Sequence, residues 1–591
     1  MALDVIPSPL APFPQVARLG FTMFVAALWP VALGALAVLA TAKPTRTSPL
    51  AKRQAPSDIR FVTTDNGRFV VNGAPINFVG TNAYWLHTLN SEQDIDYTLG
   101  NISAAGIKIV RTWAFNEVTS VPETGTWFQL IKDDGTVEIN EGPNGLQKLD
   151  AVVRLAEKHN IYLLLALTNN WSPDPLFDDI TIGAGPVRRS DITPPANGSL
   201  PRNFLSNDYG GMDTYVRQFG LDNHDEFYTN PKVINAFKNF TATIAKRYTN
   251  SPAVFGWELA NDARCSSTVG ATTCNPKVIT KWHSNIAQHI KEVDPNHLVA
   301  SGTGGQFCVD CPKLFPRVVP PPPAVSPVPG LRRRGRTGFL TKSRIIQDRL
   351  AARKRNMKRN KTKGGVKIRG RWTSSVTRRQ EDLQTLGPAF DGSSGVDSED
   401  ILNIPEISFS SFQLFPDQNE YGQPDPDLSD FENTMQRGVE WIQYHAESAL
   451  AFGKPATLNG FGLVTQEHVP NYVPFNSSEA PYASDTETPT EEQPYGVTNE
   501  QRDEAFSTWL NVGFRSGLSS MIHYQWGQTG LTVQPGTTVS QSVPGTGLVE
   551  NDGITGVSPN DGYSSNGVGR DSVIEVLQES VQEYASDSTL R

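Results

Sequence analysis

Ile161-Tyr162-Leu163-Leu164-Leu165-Ala166-Leu167 is an unbroken apolar run. A strand with one wet face alternates apolar and polar residues, so a run without alternation is what a parallel strand covered on both faces requires. Comparable segments recur at Ile76 to Gly80, Ile107 to Thr112, Ala253 to Leu259, His297 to Ser301, Ile407 to Phe415, Pro455 to Phe461 and Ser520 to Trp526. Helical patterns lie between them at Leu146–His159, Pro231–Tyr248, Pro276–Val293, Asp430–Phe452 and Asn499–Ser516. Eight such strands alternating with helices predict an α/β protein, a (β/α)8 TIM barrel, with a doubly wound sheet as the alternative topology.

The chain has 591 residues, 38% of them apolar and 19% charged, enough for a large core under a polar surface. Its formal charge of −9 argues against a nucleic-acid partner. That mean hides an asymmetry. From Arg332 to Arg379 there are 19 Lys and Arg against a single acid, Asp348. Of the totals of 52 basic and 61 acidic residues, 33 and 60 are left elsewhere, a net of −27.

The basic run sits in a segment, residues 316–384, that opens on Pro320-Pro321-Pro322-Pro323. So little apolar surface predicts a long disordered basic insertion between strands five and six, in which Ile345 to Arg359 forms a transient helix. The simple role for it is a solvated loop that neutralises an acidic barrel; the sharper one is an arm for anionic polymers such as acidic wall polysaccharide. The chain thus divides into 1–53, 54–315 and 385–591 around this insertion, the first a signal or pro segment and the other two the halves of the barrel. Ser477 to Pro494, acidic and Pro-rich, and Gln534 to Gly569, rich in Gly and Ser, read as extended barrel loops.

Leu19 to Ala42 carries no charge, follows Arg18 and ends in Ala40-Thr41-Ala42, the pattern of a cleaved secretory signal. It is also long enough to span a bilayer, so an uncleaved anchor with an extracellular barrel is the competing reading. Lys52-Arg53 reads as a dibasic processing site that starts the mature chain at Gln54. For a secreted chain the four cysteines predict local disulfides, 265–274 and then 308–311, while the spacing of Cys308 and Cys311 also fits a zinc site. Sequons at Asn101, Asn170, Asn197, Asn239, Asn360 and Asn476 accept glycans where they reach the surface. His283, His289 and His297 lack the spacing of metal ligands on one helix face and read as exposed or capping residues; neither a metal nor a cofactor is expected.

In a (β/α)8 barrel the site lies at the C-terminal ends of the strands. Those ends carry Tyr84, Trp85, Arg111, Trp113, Trp171, Asn261, Tyr524 and Trp526. Aromatic faces stack on the apolar face of a pyranose, and Asn and Arg bond its hydroxyls, so the set fits a polysaccharide cleft, although any one Trp alone fits core packing equally well.

Trp257-Glu258-Leu259-Ala260-Asn261 resembles the fourth-strand signature of the fungal endo-β-1,4-mannanase branch of glycoside hydrolase family 5. Val79 to Leu86, Val110 to Trp113 and Asp208 to Asp213 are similar to that family too. The resemblance implies a secreted barrel acting on or binding β-1,4-mannan or a related plant-wall glucan, with two carboxylates about 5 Å apart, one an acid/base and one a nucleophile. It places Asp262 at the acid/base position and Gly460 at the nucleophile position, where the family keeps glutamates. It also places Gln413 and Phe415 where a His and a Tyr tune the nucleophile. A carboxylate withdrawn by about 1 Å loses on the order of a hundredfold in rate, and Gly460 supplies no nucleophile at all. Asp417, Glu420 and Glu467 are the carboxylates that could activate a water instead, and Glu258 reads as a support for Arg111 or Asn261. Three functions therefore stay open: a mannan hydrolase, a catalytically inactive polysaccharide-binding barrel, and a wall or surface protein acting through the basic segment.

Overall fold

The structure is a computed structural model, and it describes residues 59–173, 202–317, 339–362, 386–477, 496–539, 555–567 and 569–586. Eight parallel strands form one sheet: β1 (Phe78–Asn82), β2 (Ile109–Trp113), β3 (Tyr162–Ala166), β4 (Val254–Glu258), β5 (Leu298–Ala300), β6 (Ser410–Leu414), β7 (Ala456–Phe461) and β8 (Ser520–His523). They run in the order β5-β4-β3-β2-β1-β8-β7-β6. The seam between β5 and β6 is closed by a parallel bridge from Ala300 to Phe409 and by Ser408 N–H donating to Val299 O at 2.7 Å. The sheet is therefore a (β/α)8 barrel. Every residue of β3 and β4 is buried, as strands covered inside and out must be.

An antiparallel three-stranded sheet, Thr63 to Ile76, closes the N-terminal end of the barrel. Its Phe69 meets Phe255 with ring centroids 4.9 Å apart and Phe409 at 5.2 Å, and Phe78 joins the cluster at 5.7 Å from Phe255. With that end plugged by aromatic rings, the C-terminal end is left for polar chemistry.

Besides short helices at Met212–Gln218 and Glu226–Thr229, the α-helices among the described residues are α1 (Glu92–Ala104), α2 (Leu146–Lys158), α3 (Pro231–Tyr248), α4 (Pro276–Val293), α5 (Lys342–Thr362), α6 (Ser398–Leu402), α7 (Asp430–Phe452), α8 (Asn499–Ser516) and α9 (Arg570–Ser586). Their ends follow from local chemistry. Asn230 and Asn275 accept the backbone N–H of Lys232 and Lys277, each ahead of a proline at the first helical position. Ser429 with Glu432 and Thr498 with Gln501 form capping boxes, and Gly453 and Gly517 end α7 and α8 in the left-handed conformation that favours glycine.

The basic insertion departs from the expectation of a disordered segment. Its middle is the 21-residue helix α5, which packs on the barrel. Leu340 and Ile345 are fully buried, Ala352 nearly so, and Leu340 N–H donates to Glu399 Oε1 at 3.0 Å. Arg344 pairs with Glu447, Arg353 with Asp427 at 3.0 Å, and Asn356 donates to Gln436 at 2.9 Å. The charge that argued for disorder in isolation is what meets the acids of α7 and its preceding loop. Residues 318–338 and 363–385 of the insertion lie outside the described residues, as do Leu19 to Ala42 and Lys52-Arg53. Among the described residues no helix is long and apolar enough to cross a membrane.

Cys265 pairs with Cys274 and Cys308 with Cys311, with Cα–Cα distances of 5.4 and 5.5 Å, which leaves no cysteine free for zinc. The histidine expectation needs correction: His283 and His297 are buried, not exposed. His297 Nδ1 bonds Asp294 Oδ2 at 2.6 Å, where Trp257 Nε1 also donates, so it ties α4 to β4. Asn170 is buried as well, which excludes a glycan there, whereas Asn239 and Asn476 are exposed.

Because the face of α5 that packs on the barrel is anchored by Ile345, Ile345→Asp should free a helix rich in tryptic sites. Burying an unpaired carboxylate and losing the Ile contacts removes about 2–5 kcal/mol of local stability. Limited trypsinolysis followed by mass spectrometry should show cleavage between residues 342 and 356 accelerated by at least about tenfold. An unchanged cleavage pattern would mean that the helix is not held by this contact.

Candidate functional site

The centre of the barrel mouth is one ion pair. Arg111, third in β2, donates through Nε to Glu258 Oε2 at 2.9 Å, and its Nη2 meets Glu258 Oε1. Both side chains are buried. Arg111 Nη1 donates to Asn82 Oδ1 at 3.1 Å and Nη2 to Asn261 Oδ1 at 2.7 Å, with the Trp113 ring 4.8 Å from the guanidinium carbon. Asn459 Nδ2 donates to the same Glu258 Oε2 at 2.6 Å. Gln413 Nε2 and Asn261 meet at 2.9 Å, and Asn261 Nδ2 donates to Asn169 Oδ1 at 2.8 Å. The structure thus brings Arg111, Asn261 and Gln413 together and gives Glu258 the supporting contact with Arg111.

Asp262 follows directly, with φ of 53°, a conformation Asp tolerates better than most residues. Its carboxylate is engaged on both oxygens: Trp171 Nε1 donates to Oδ2 at 3.0 Å and Arg264 Nε to Oδ1 at 3.0 Å. Arg264 also reaches Asn419 at 2.8 Å and lies 5.5 Å from the ring centroids of both Trp171 and Phe475.

Gly460 lies across the mouth in β7. A Cβ built there would stand 3.0 Å from Phe415 Cζ and 3.3 Å from Cε2. The Phe415 ring is itself held by Tyr524 at 5.3 Å and Tyr563 at 5.4 Å, so the space that a longer side chain would use is taken by an aromatic ring.

The aromatic residues read as sugar platforms sit under loops. Tyr84, Trp85, Trp113 and Trp526 are at most 1% exposed, and Trp171, Phe415 and Tyr524 at most 8%. Tyr84 Oη donates to Phe204 O at 2.9 Å and Trp113 Nε1 to Ser206 O at 2.9 Å, while Tyr524 Oη donates to Asp561 Oδ2 at 2.6 Å. The strand-end faces are thus covered by residues 202–209 and 555–567, far away in sequence. Trp85 and Trp526 belong to the core, with Trp526 Nε1 donating to Gln528. Residues that remain half-buried at the rim are Asn261, Arg264, Asp417, Asn419 and Phe475.

Of the carboxylates considered as replacements, Glu420 and Glu467 are exposed and Asp417 is half-buried. Asp417 Oδ2 accepts Val464 N–H at 3.0 Å, and burial pushes its carboxyl up to about 7. Among the described residues no group of His, Cys, Asp or Glu is gathered for a metal ion.

Sequence reading missed Arg264, Asn419 and Phe475. Arg264 stands two residues after Asp262 and had a signal, being a cation next to a candidate acid. Phe475 had none, because only the fold carries it to Trp171, 4.6 Å between ring centroids.

The model of the GH family 5 beta-mannosidase-like family matches residues 59–321. The chain is 38% identical over 259 residues to mannan endo-1,4-beta-mannosidase F of Aspergillus fumigatus, covering 43% of this chain and 50% of that protein. It is 37% identical over 239 residues to mannan endo-1,4-beta-mannosidase A of Podospora anserina, covering 40% of this chain and 52% of that protein. The chain spans about half the length of the curated relatives it matches. Among solved structures, the endo-1,4-beta-mannanase of Rhizomucor miehei superposes with a TM-score of 0.53 at 22% identity over 89% of this chain and 100% of that one, a likeness of fold.

Two outcomes follow from the geometry. Gly460→Ala should destabilise the chain by about 1–3 kcal/mol through overpacking, and Phe415→Leu in the same chain should recover most of the loss, as read by urea denaturation. Additive effects would show that the two positions do not touch. Because the folded-state value of Asp417 is raised, the stability it contributes is present below the ordinary carboxylate range and is lost as pH rises through about 7. Asp417→Asn should therefore gain melting temperature over the parent at pH 8 and show no gain at pH 4; equal shifts at both would refute the buried-acid assignment.

Proposed function

On the premise that residues 59–321 carry a glycoside hydrolase family 5 mannosidase-type half-barrel, completed by β6–β8, we propose that the chain binds β-1,4-mannan-type polysaccharide without hydrolysing it by the two-carboxylate retaining route. The observation that carries this reading is at Gly460, the position that the family resemblance implies for the nucleophile: it has no side chain, and the Phe415 ring packs against it. Retaining hydrolysis needs two carboxyl groups about 5–5.5 Å apart across the glycosidic bond, and one of the pair is missing. Asp262, buried and tied to Trp171 and Arg264, holds those two side chains beside the rim.

The rim residues Asn261, Arg264, Asn419 and Phe475 supply what sugar binding asks for: an amide, a guanidinium and an aromatic edge near one another. Neither mannan over glucan nor a particular chain length is selected by these groups alone. Similarity to mannan endo-1,4-beta-mannosidases supports mannan as the ligand class. The N-terminal signal pattern and two disulfides support an extracellular, secreted setting.

A second reading rests on Asp417. A carboxyl pushed up to about 7 is suited to proton transfer near neutral pH, and beside a water it would act in an inverting reaction.

The test is reducing-end release from β-mannan by the secreted protein, beside Asp262→Ala and Asp417→Asn, together with calorimetric titration of mannohexaose. Binding without release, with affinity reduced about tenfold in Asp262→Ala, is the expected result. Release abolished by Asp417→Asn would establish the second reading. Neither binding nor release would overturn the mannan assignment.

A further inference from the structure

A second concave site lies away from the barrel mouth, where α5 meets the loop after β6 and the first turns of α7. The cavity there is about 280 Å³. Arg349 and Arg353 line it from α5, Arg437 from α7, and Tyr421, Pro424 and Pro426 from the loop. Two acids, Asp425 and Glu440, also line it, so the wall holds three guanidinium groups against two carboxyls. Burial raises the Glu440 carboxyl, and Gln436, donating to it at 3.1 Å, acts in the opposite direction.

The guanidiniums are not equally satisfied. Arg353 pairs with Asp427 at the rim, 3.0 Å away, and Arg349 donates to Leu386 O at 3.0 Å and lies over the Phe390 ring. Arg437 Nε is buried with no hydrogen-bond partner among the described residues. Burial acts most strongly against the charge on Arg437, and Arg349 adds to it, while Glu420, Glu440 and Asp430 nearby favour that charge. Leaving a buried charged donor unpaired costs about 1–3 kcal/mol or more, which an oxyanion seated against it would remove. The wall is also formed in advance. Asn433 accepts Asp425 N–H at 2.7 Å and donates to Asp425 O at 3.0 Å, fixing the loop, and Tyr421 is anchored through its hydroxyl to Phe415 N–H at 2.9 Å.

We propose that this cavity binds an acidic monosaccharide, its carboxylate or phosphate group held by Arg437 and Arg349 and its ring against Tyr421 and the two prolines. The chemistry sets each part. Guanidiniums form two-point bonds with carboxylate and phosphate. The Tyr421 ring and Pro424 and Pro426 present apolar surface suited to the C–H face of a pyranose. The volume lies near the lower end of small-ligand pockets, roughly 300 Å³, which suits one sugar unit rather than a chain. The site exists because α5 docks: without it two of the three guanidiniums are absent.

Calorimetric titration of the full chain with glucuronate, glucose 6-phosphate, glucose and inorganic phosphate tests this. Saturable one-to-one binding of glucuronate or glucose 6-phosphate is expected, the pair of results showing which acid group is preferred. Affinity should fall at least about tenfold in Arg437→Gln with circular dichroism unchanged. Should Arg437→Gln fail to fold, Arg353→Gln at the rim carries the same comparison with a smaller loss. Glucose binding as tightly as its acids, inorganic phosphate binding as tightly as glucose 6-phosphate, no binding by either acid, or unaltered affinity in both variants would each overturn the proposal.

Discussion

A buried ion pair sets the terms for this barrel. Two opposite charges, Arg111 and Glu258, face each other inside a ring of eight strands, where neither keeps its water shell. Such a pair is stable only when its remaining donors and acceptors are met, because desolvation rivals the attraction between the charges. Here Asn82, Asn261 and Asn459 meet them, one from the end of β1, one just past β4 and one from β7. Asn82 further donates to Asn459 O and His523 O, so the polar cluster joins strands on both sides of the ring. The positions of Asp262 and Gly460 follow from this cluster, since each is the next residue after one of its amides. The site is therefore built on sheet, with Asp262 and Gly460 held next to the amides of the polar cluster.

Much of the fold was legible in sequence, for physical reasons that differ by element. The bounds of α3, α4, α7 and α8 follow directly from Asn-Pro starts, capping boxes and, for α7 and α8, terminal glycines, all short-range signals. The strands were placed within two or three residues, because an apolar run does not mark where hydrogen bonding to its neighbour begins; β1 starts at Phe78 rather than Ile76. The antiparallel sheet from Thr63 to Ile76 was not read, since its exposed strands carry little apolar signal. Helix α5 was read as transient because its charge was weighed alone, and its partners Asp427 and Glu447 lie 74 and 103 residues beyond Arg353 and Arg344.

The site shows the same division. Which residues cluster around Arg111 could be read from strand ends, because parallel strands in register bring their ends together. Which faces remain open could not. Tyr84, Trp113 and Tyr524 are the residue types of a sugar groove, yet their polar atoms are bonded by Phe204, Ser206 and Asp561 from loops whose paths no local pattern encodes. The packing of Phe415 against Gly460 is likewise a matter of the fold, since the two come from different strand ends. Phe415 lies so close to β7 that a Cβ at position 460 would stand 3.0 Å from its ring, so the two positions constrain each other sterically.

The barrel's two seams carry a topological consequence. β1 to β5 come from the chain before the basic insertion and β6 to β8 from the chain after it. The two groups meet twice, at β8–β1 along four residue pairs and at β5–β6 through the Ala300–Phe409 bridge. A backbone cut between residues 317 and 339 would thus separate two pieces that still interlock around one closed cylinder. What the peptide link adds there is chiefly a high local concentration of one piece for the other. The protein is in this sense a joined pair, five strands and three, and its unity resides in the hydrogen-bonded ring more than in the covalent thread.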